Sequence, residues 1–244
     1  MQQLYKLTDL SKFDLQTLDG ELGHIEQIYF DDQQWLVRYF IVRTGNWLFG
    51  QDVLIDPAMI EFIDEENNTI KVKLTREQIK NSPPMDTKMP VSRHYEREYY
   101  RYYDWEPYWY GDPFFEDVPL VPPQAIPEKP EAPENPHLRS SVEVNGYHIQ
   151  TKDGAIGHVD DFVLDNSGKK IRYIQIDTRN WLPAKNVLIS PAWIEGIDWS
   201  KNELAILLEK KAIETAPTFD PSKVISRDYQ VKLFKHYGME YEDE

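Results

Sequence analysis

Two histidines stand out among the residues that could do chemistry. His24 follows Gly23 and precedes Ile25-Glu26, while His158 follows Gly157 and stands two residues before Asp160-Asp161. An imidazole beside carboxylates is ordinary material for a general base or a metal ligand. The spacing argues the other way: it is His-x-Glu in one place and His-x-Asp-Asp in the other, without a second nearby histidine or the helical two-histidine spacing of a zinc hydrolase. Histidines that hydrogen-bond a turn are the expectation, with no metal, cofactor or catalytic residue assigned. The chain has no cysteine, which excludes disulfides, thiolate zinc sites, iron–sulfur clusters and cysteine nucleophiles. It also lacks a nucleophile elbow, a phosphate-binding loop and a redox motif. The reading is therefore of a protein that is not an enzyme.

The residues better suited to recognition are aromatic and basic. Asn46-Trp47-Leu48 recurs as Asn180-Trp181-Leu182, with Arg38 and Arg172 a few residues upstream. Trp and Arg are enriched where interfaces concentrate their binding energy, so an exposed anchor is one reading. Closure of a core by each indole is the other. A second group, Trp105, Tyr108, Trp109, Tyr110, Phe114 and Phe115, is interleaved with acidic residues and prolines. So many large rings would be poorly soluble if all were exposed, so they either cover the chain's own surface or form a partner patch. The candidate interaction residues are thus Trp47, Trp181, Trp105, Trp109, Arg38 and Arg172.

The elements that must position these residues are duplicated. Residues 19–103 align on residues 153–237 at a constant offset of 134, without a gap, and about a third of the positions are identical. Asp19-Gly20-x-x-Gly23-His24 recurs as Asp153-Gly154-x-x-Gly157-His158, and Val53-Leu54-Ile55-x-Pro57-Ala58 as Val187-Leu188-Ile189-x-Pro191-Ala192. Asp-Gly pairs suit tight turns, and they place a hairpin at the start of each copy. Strands are expected at 25–30, 36–42, 53–55, 61–63 and 69–74, and again at 159–164, 171–176, 187–189, 195–197 and 203–208. A helical turn or two at 75–80 and 209–214 ends before Pro83 and Pro217, and a second helix begins at Ser92 and Ser226. Its stripe, Tyr95, Tyr99 and Tyr103 or Tyr229, Leu233 and Tyr237, is expected to pack on its own strands. The fold class is mainly β: two tandem small bent barrels, each followed by short helices. The division is a first domain at 1–103, an acidic Pro/aromatic-rich linker at 104–137, a second domain at 138–239 and an acidic tail at 240–244.

The net charge of −15 is distributed unevenly, with −5 in the first domain, −7 in the linker, +1 in the second domain and −4 in the tail. A sequence pI near 4.8 argues against binding a phosphate backbone, so no nucleic-acid partner is expected. Neither a signal-like N-terminus nor a long apolar run is present, and a cytoplasmic protein without a transmembrane segment is the expectation. Peripheral association with a membrane complex stays open, as does a paired arrangement of the barrels within one chain or a homodimer.

The Asp-Gly-x-x-Gly-His motif, the Arg-Tyr strand, Thr-x-Asn-Trp and Val-Leu-Ile-x-Pro together resemble the PRC-barrel domain, known from the cytoplasmic part of the photosynthetic reaction-centre H subunit. Both halves match. The resemblance implies a small, strongly bent β-barrel and a docking role on a protein partner, for instance a membrane-associated electron-transfer complex. A ribosome-maturation factor of the family implies the alternative of a ribosome-assembly or stress-related adaptor. It supplies no catalytic residues. This chain departs from the H subunit in having two copies and no membrane anchor.

Overall fold

The computed structural model describes residues 3–85, 91–109, 137–178 and 186–241. The first repeat contains β1 (Tyr5–Lys6), α1 (Leu7–Leu10), β2 (Asp14–Thr17), β3 (Gly20–Asp31), β4 (Val37–Thr44), β5 (Asp52–Ile55), β6 (Ile60–Asp64), β7 (Thr69–Val72), α2 (Arg76–Lys80) and α3 (Arg93–Tyr103). The second repeats this order as β8 (Leu138–Ser140), α4 (Ser141–Val144), β9 (His148–Thr151), β10 (Gly154–Leu164), β11 (Ile171–Asp177), β12 (Asn186–Ile189), β13 (Ile194–Asp198), β14 (Glu203–Ile206), α5 (Lys210–Thr215) and α6 (Arg227–His236). The turns are set by residue type. Asn68 and Asn202, at equivalent positions before β7 and β14, both adopt positive φ, which a short polar side chain tolerates. Ser92 and Ser226 each accept a hydrogen bond from the backbone N–H three residues on, at 3.1 and 3.2 Å, and so start α3 and α6. The tyrosine stripe of α3 packs inward as expected, with Tyr99 buried and its hydroxyl donating to the Leu54 carbonyl at 3.1 Å.

Each sheet runs β5-β4-β3-β2-β7-β6 or, equivalently, β12-β11-β10-β9-β14-β13. Pairing is antiparallel except for β2 with β7 and β9 with β14. The sequence predicts a small bent barrel in each repeat, closed or nearly so, but among the described residues no ladder joins the two ends of either path. The chain passes from β5 to β6, and from β12 to β13, through a 3₁₀ turn containing Pro57 or Pro191. Proline fixes φ and offers no N–H, so the turn redirects the chain instead of continuing a ladder.

Each sheet also takes a seventh strand from the other repeat. β1 pairs with β10, setting Tyr5 opposite Leu164, and β8 pairs with β3, setting Arg139 opposite Phe30. The seam continues where Leu36 and Lys170 form a bridge: the Val37 N–H donates to the Lys169 carbonyl and the Ile171 N–H to the Trp35 carbonyl, both at 2.9 Å. Under the offset each of these two bonds maps onto the other. The Thr8 hydroxyl donates to Asp161 across the seam, and the Ser141 hydroxyl accepts from the Ile28 N–H at 3.1 Å. Phe30 and Phe162 meet with ring centroids 5.5 Å apart, and one continuous apolar core runs through both repeats. A second, smaller core lies under α3.

Candidate interaction site

Arg38 and Tyr39 stand next to each other on β4, so the pleat sends them to opposite faces. Tyr39 is fully buried, and its hydroxyl donates to Glu96 Oε1 on α3 at 3.1 Å. Tyr108 donates to the same oxygen at 2.9 Å, and the second oxygen faces the Arg93 guanidinium at 3.0 Å. Burial pushes the Tyr39 and Tyr108 phenols above their ordinary value, so both stay protonated as donors. Burial also raises the Glu96 carboxyl, outweighing the nearby Arg93 charge that lowers it. Arg38 lies over the Tyr108 ring at 3.9 Å and Arg93 over the Trp109 indole at 4.2 Å. Trp109 is only 5% exposed, and Trp105 stacks on Tyr103 at 4.4 Å. The aromatic residues at 105–109 therefore cover the first repeat's own groove, and the structure uses Trp105, Trp109 and Arg38 internally.

Among the described residues, the corresponding place in the second repeat is a cavity. Arg172 and Tyr173 on β11 and Phe234 on α6 occupy the positions of Arg38, Tyr39 and Tyr100, and they line a cavity of about 810 Å³. The Tyr173 hydroxyl donates to Gln230 at 2.8 Å, repeating the bond between Tyr39 and Glu96 with an uncharged acceptor. The lining also includes Trp35 and Asp32 of the first repeat, and Arg139 stacks over Trp199 at 3.8 Å. Asp32 accepts from both His137 and Arg139 at 3.0 Å, tying β8 to the end of β3. This junction belongs to neither repeat alone. Sequence reasoning singled out Arg172 but missed Trp35, Arg139 and Trp199, because only the exchange of β1 and β8 brings them together.

In both copies the aspartate of the Asp-Gly-x-x-Gly-His motif is hydrogen-bonded within the fold. The carboxylates of Asp19 and Asp153 each accept from a threonine hydroxyl two residues back, at 2.9 Å. Each also accepts from the first backbone N–H of the distant short helix, Arg76 or Lys210, at 2.8 Å. These bonds hold both carboxyls below the ordinary value of 3.8. A depressed folded-state pKa gives stability that is present above that value and lost as pH falls through the folded value. Asp19→Asn with Asp153→Asn should accordingly lower the thermal midpoint at pH 7, with the gap to wild type closing in an acid series below pH 3.8. A gap that is constant across the series would contradict the capping role. Gly20 and Gly154 sit beside the Arg76 and Lys210 side chains of the same helices, whereas Gly23 and Gly157 lie against the backbone of the neighbouring strand.

The histidines are arranged differently in the two copies. Exposed His24 has Nδ1 3.4 Å from the Phe13 carbonyl and 3.5 Å from Asp14, and together with Glu21 these side chains bring three ligand atoms within 4.8 Å of one another. The positions of Asp14 and Glu21 are held by His148 and Ala155 in the second repeat, so this set is not duplicated with the motif. Half-buried His158 lies 3.8 Å from Asp177 through Nε2, and pairing of β9 with β10 sets it opposite His148. The spacing of ten residues hid that pair, because only the hairpin register reveals it. Half-buried Trp47 donates its indole N–H to the Leu22 carbonyl at 3.0 Å and so closes the core beside β3. Trp181 lies outside the described residues.

No helix among the described residues is long and apolar enough to cross a membrane. No curated protein matches the chain in sequence. A family model described as the PRC-barrel domain matches residues 3–79 and again residues 138–214. The two matches span β1 to β7 and β8 to β14, whereas α3 and α6, with Glu96 and Gln230, lie beyond them. With both matches together spanning more than half of its length, the chain belongs to the PRC-barrel family and carries two copies of the domain.

Proposed function

We propose that this protein is a non-catalytic docking module that binds a protein partner at the junction of its two repeats. The observation that carries this reading is the open cavity lined by Trp35, Arg139, Arg172 and Trp199, the residue types that concentrate energy in protein interfaces. Its walls come from both repeats and from the exchanged strand β8, so they are held by the continuous core and not by loops alone. Affinity capture from source cells with the full chain tests it. A partner retained in stoichiometric amount by wild type, and lost on replacing Arg172 by Glu together with Trp199 by Ala, is the expected result. Equal capture by that folded double variant would move the interface elsewhere. Absence of any retained protein would remove the docking reading altogether.

A further inference from the structure

The two repeats build one groove twice, and among the described residues the first fills it more fully from the sequence that follows its helix. In the first repeat the segment Asp104-Trp-Glu-Pro-Tyr-Trp109 turns back from α3. It places Tyr108 under Arg38 and seats Trp109 against Tyr100, ring centroids 5.3 Å apart. In the second repeat the walls are kept, with Arg172, Tyr173 and Phe234 where Arg38, Tyr39 and Tyr100 stand. The Tyr–Trp pair is not repeated in the sequence, where Glu242 and Asp243 occupy the positions of Tyr108 and Trp109. Tyr241 reaches part of the way: its ring lies 5.3 Å from Phe234 and its hydroxyl 3.4 Å from Gln230. The cavity remains beside it.

Charge also distinguishes the two grooves. Where the filled groove's equivalent positions carry Tyr5 and Leu36, the open one carries Arg139 and Lys170; where they carry Asp56 and Glu65, it carries Ser190 and Trp199. Two exchanges run the other way, Asp32 for Asn166 and Trp35 for Lys169, and Glu195 and Glu240 stay on the wall, so the open groove is more positive by two charges than one that already accepts a segment bearing Asp104 and Glu106. Two indoles, Trp35 and Trp199, also lie on its wall, the second under the Arg139 guanidinium.

We propose that the cavity at Arg172 is the docking site for an acidic peptide segment of a partner protein that carries a Tyr–Trp pair, chemically like residues 104–109 of this chain. The tyrosine stacks on the Arg172 guanidinium as Tyr108 does on Arg38, and the acidic residues meet the Arg139 and Lys170 side of the cavity. This rests on the docking reading and gives its partner a chemistry.

The probe is a labelled synthetic peptide with the sequence of residues 104–109, titrated into the full chain and followed by fluorescence anisotropy. A control peptide has alanine in place of its three aromatic residues. Saturable binding is expected for wild type and for Lys12→Glu, which makes the same charge change on the exposed α1 end of the first repeat. Binding about tenfold weaker is expected for Arg172→Glu, and a clear loss for Trp199→Ala, with circular dichroism confirming that both are folded. No saturable binding, equal binding by Arg172→Glu, or equal binding of the alanine peptide would overturn the proposal. If the peptide fails while cellular partner capture still depends on Arg172 and Trp199, the peptide chemistry is wrong and the docking module stands. If capture also fails, the docking reading falls with it.

Discussion

Gly23→Ala should leave the protein largely unfolded under conditions in which wild type is stable. A methyl group at this position would sit 1.9 Å from the Arg43 carbonyl oxygen and 2.8 Å from its carbon, which are backbone atoms of the paired strand. The residue also has φ of +149°, which side-chain-bearing residues rarely adopt. Relief cannot come from a rotamer change; β3 and β4 must separate where Gly23 is paired with Thr44. Disruption of a central ladder together with backbone strain belongs to the most destabilising class of single substitutions, and a cost of about 3–5 kcal/mol is expected. That is a large part of the roughly 5–15 kcal/mol holding a typical domain together. Gly157→Ala should cost less. Its added methyl would lie 2.4 Å from the Asp177 carbonyl oxygen, but its backbone has no left-handed φ to strain. Urea unfolding of the three proteins gives the order directly, and a Gly23→Ala variant within about 1 kcal/mol of wild type would refute the close-approach explanation of the motif.

Glu96→Ala is the second substitution expected to have a large effect. It leaves the buried Arg93 without its carboxylate and takes the shared acceptor from the Tyr39 and Tyr108 hydroxyls. Removing one member of a buried ion pair costs about 3–5 kcal/mol, because the remaining charge stays desolvated. Loss of the Tyr108 bond should also loosen residues 105–109 from the groove, seen as faster quenching of tryptophan fluorescence. Glu96→Gln is the milder comparison, since Gln230 already accepts from Tyr173 in the same geometry. It also isolates a pH effect. The Glu96 carboxyl has a folded-state pKa above its ordinary value of 4.5, so its contribution is complete below that pH and is lost as pH rises through the folded value. The stability difference between wild type and Glu96→Gln should therefore narrow as pH rises across that range. A difference that widens would mean that the Arg93 charge, and not burial, controls the group.

Much of the architecture was legible because its signals are local and occur twice. Alternating β-branched and aromatic residues marked the main strands, Ser92 and Ser226 marked the starts of α3 and α6, and the constant offset marked the duplication. β1 and β8 carried no such signal: each is two or three residues long, and each acquires its meaning from a partner more than a hundred residues away. Missing that exchange also hid the junction site, whose walls depend on it. The aromatic segment illustrates the same limit from another side. Its composition fitted both a cover and an exposed patch, and only the position of Glu96 beneath it distinguishes them, as a buried carboxylate gives Tyr108 and Arg93 something to bind. His148 and His158 show that sequence spacing alone says little about neighbours across a hairpin.

The exchanged strands also bear on how the two halves could diverge. Were the same seam formed between separate identical chains, its assembly would depend on protein concentration, and every substitution would appear on both sides of it at once. Covalent connection replaces that encounter with an intramolecular one, at an effective concentration of millimolar order for a flexible tether. It also lets one side change alone. Glu96 faces Arg93 while Gln230 remains neutral, and among the described residues one groove is plugged while its counterpart keeps a cavity. The fusion that joins the halves is thus what permits a symmetric framework to present a single, unsymmetrical face.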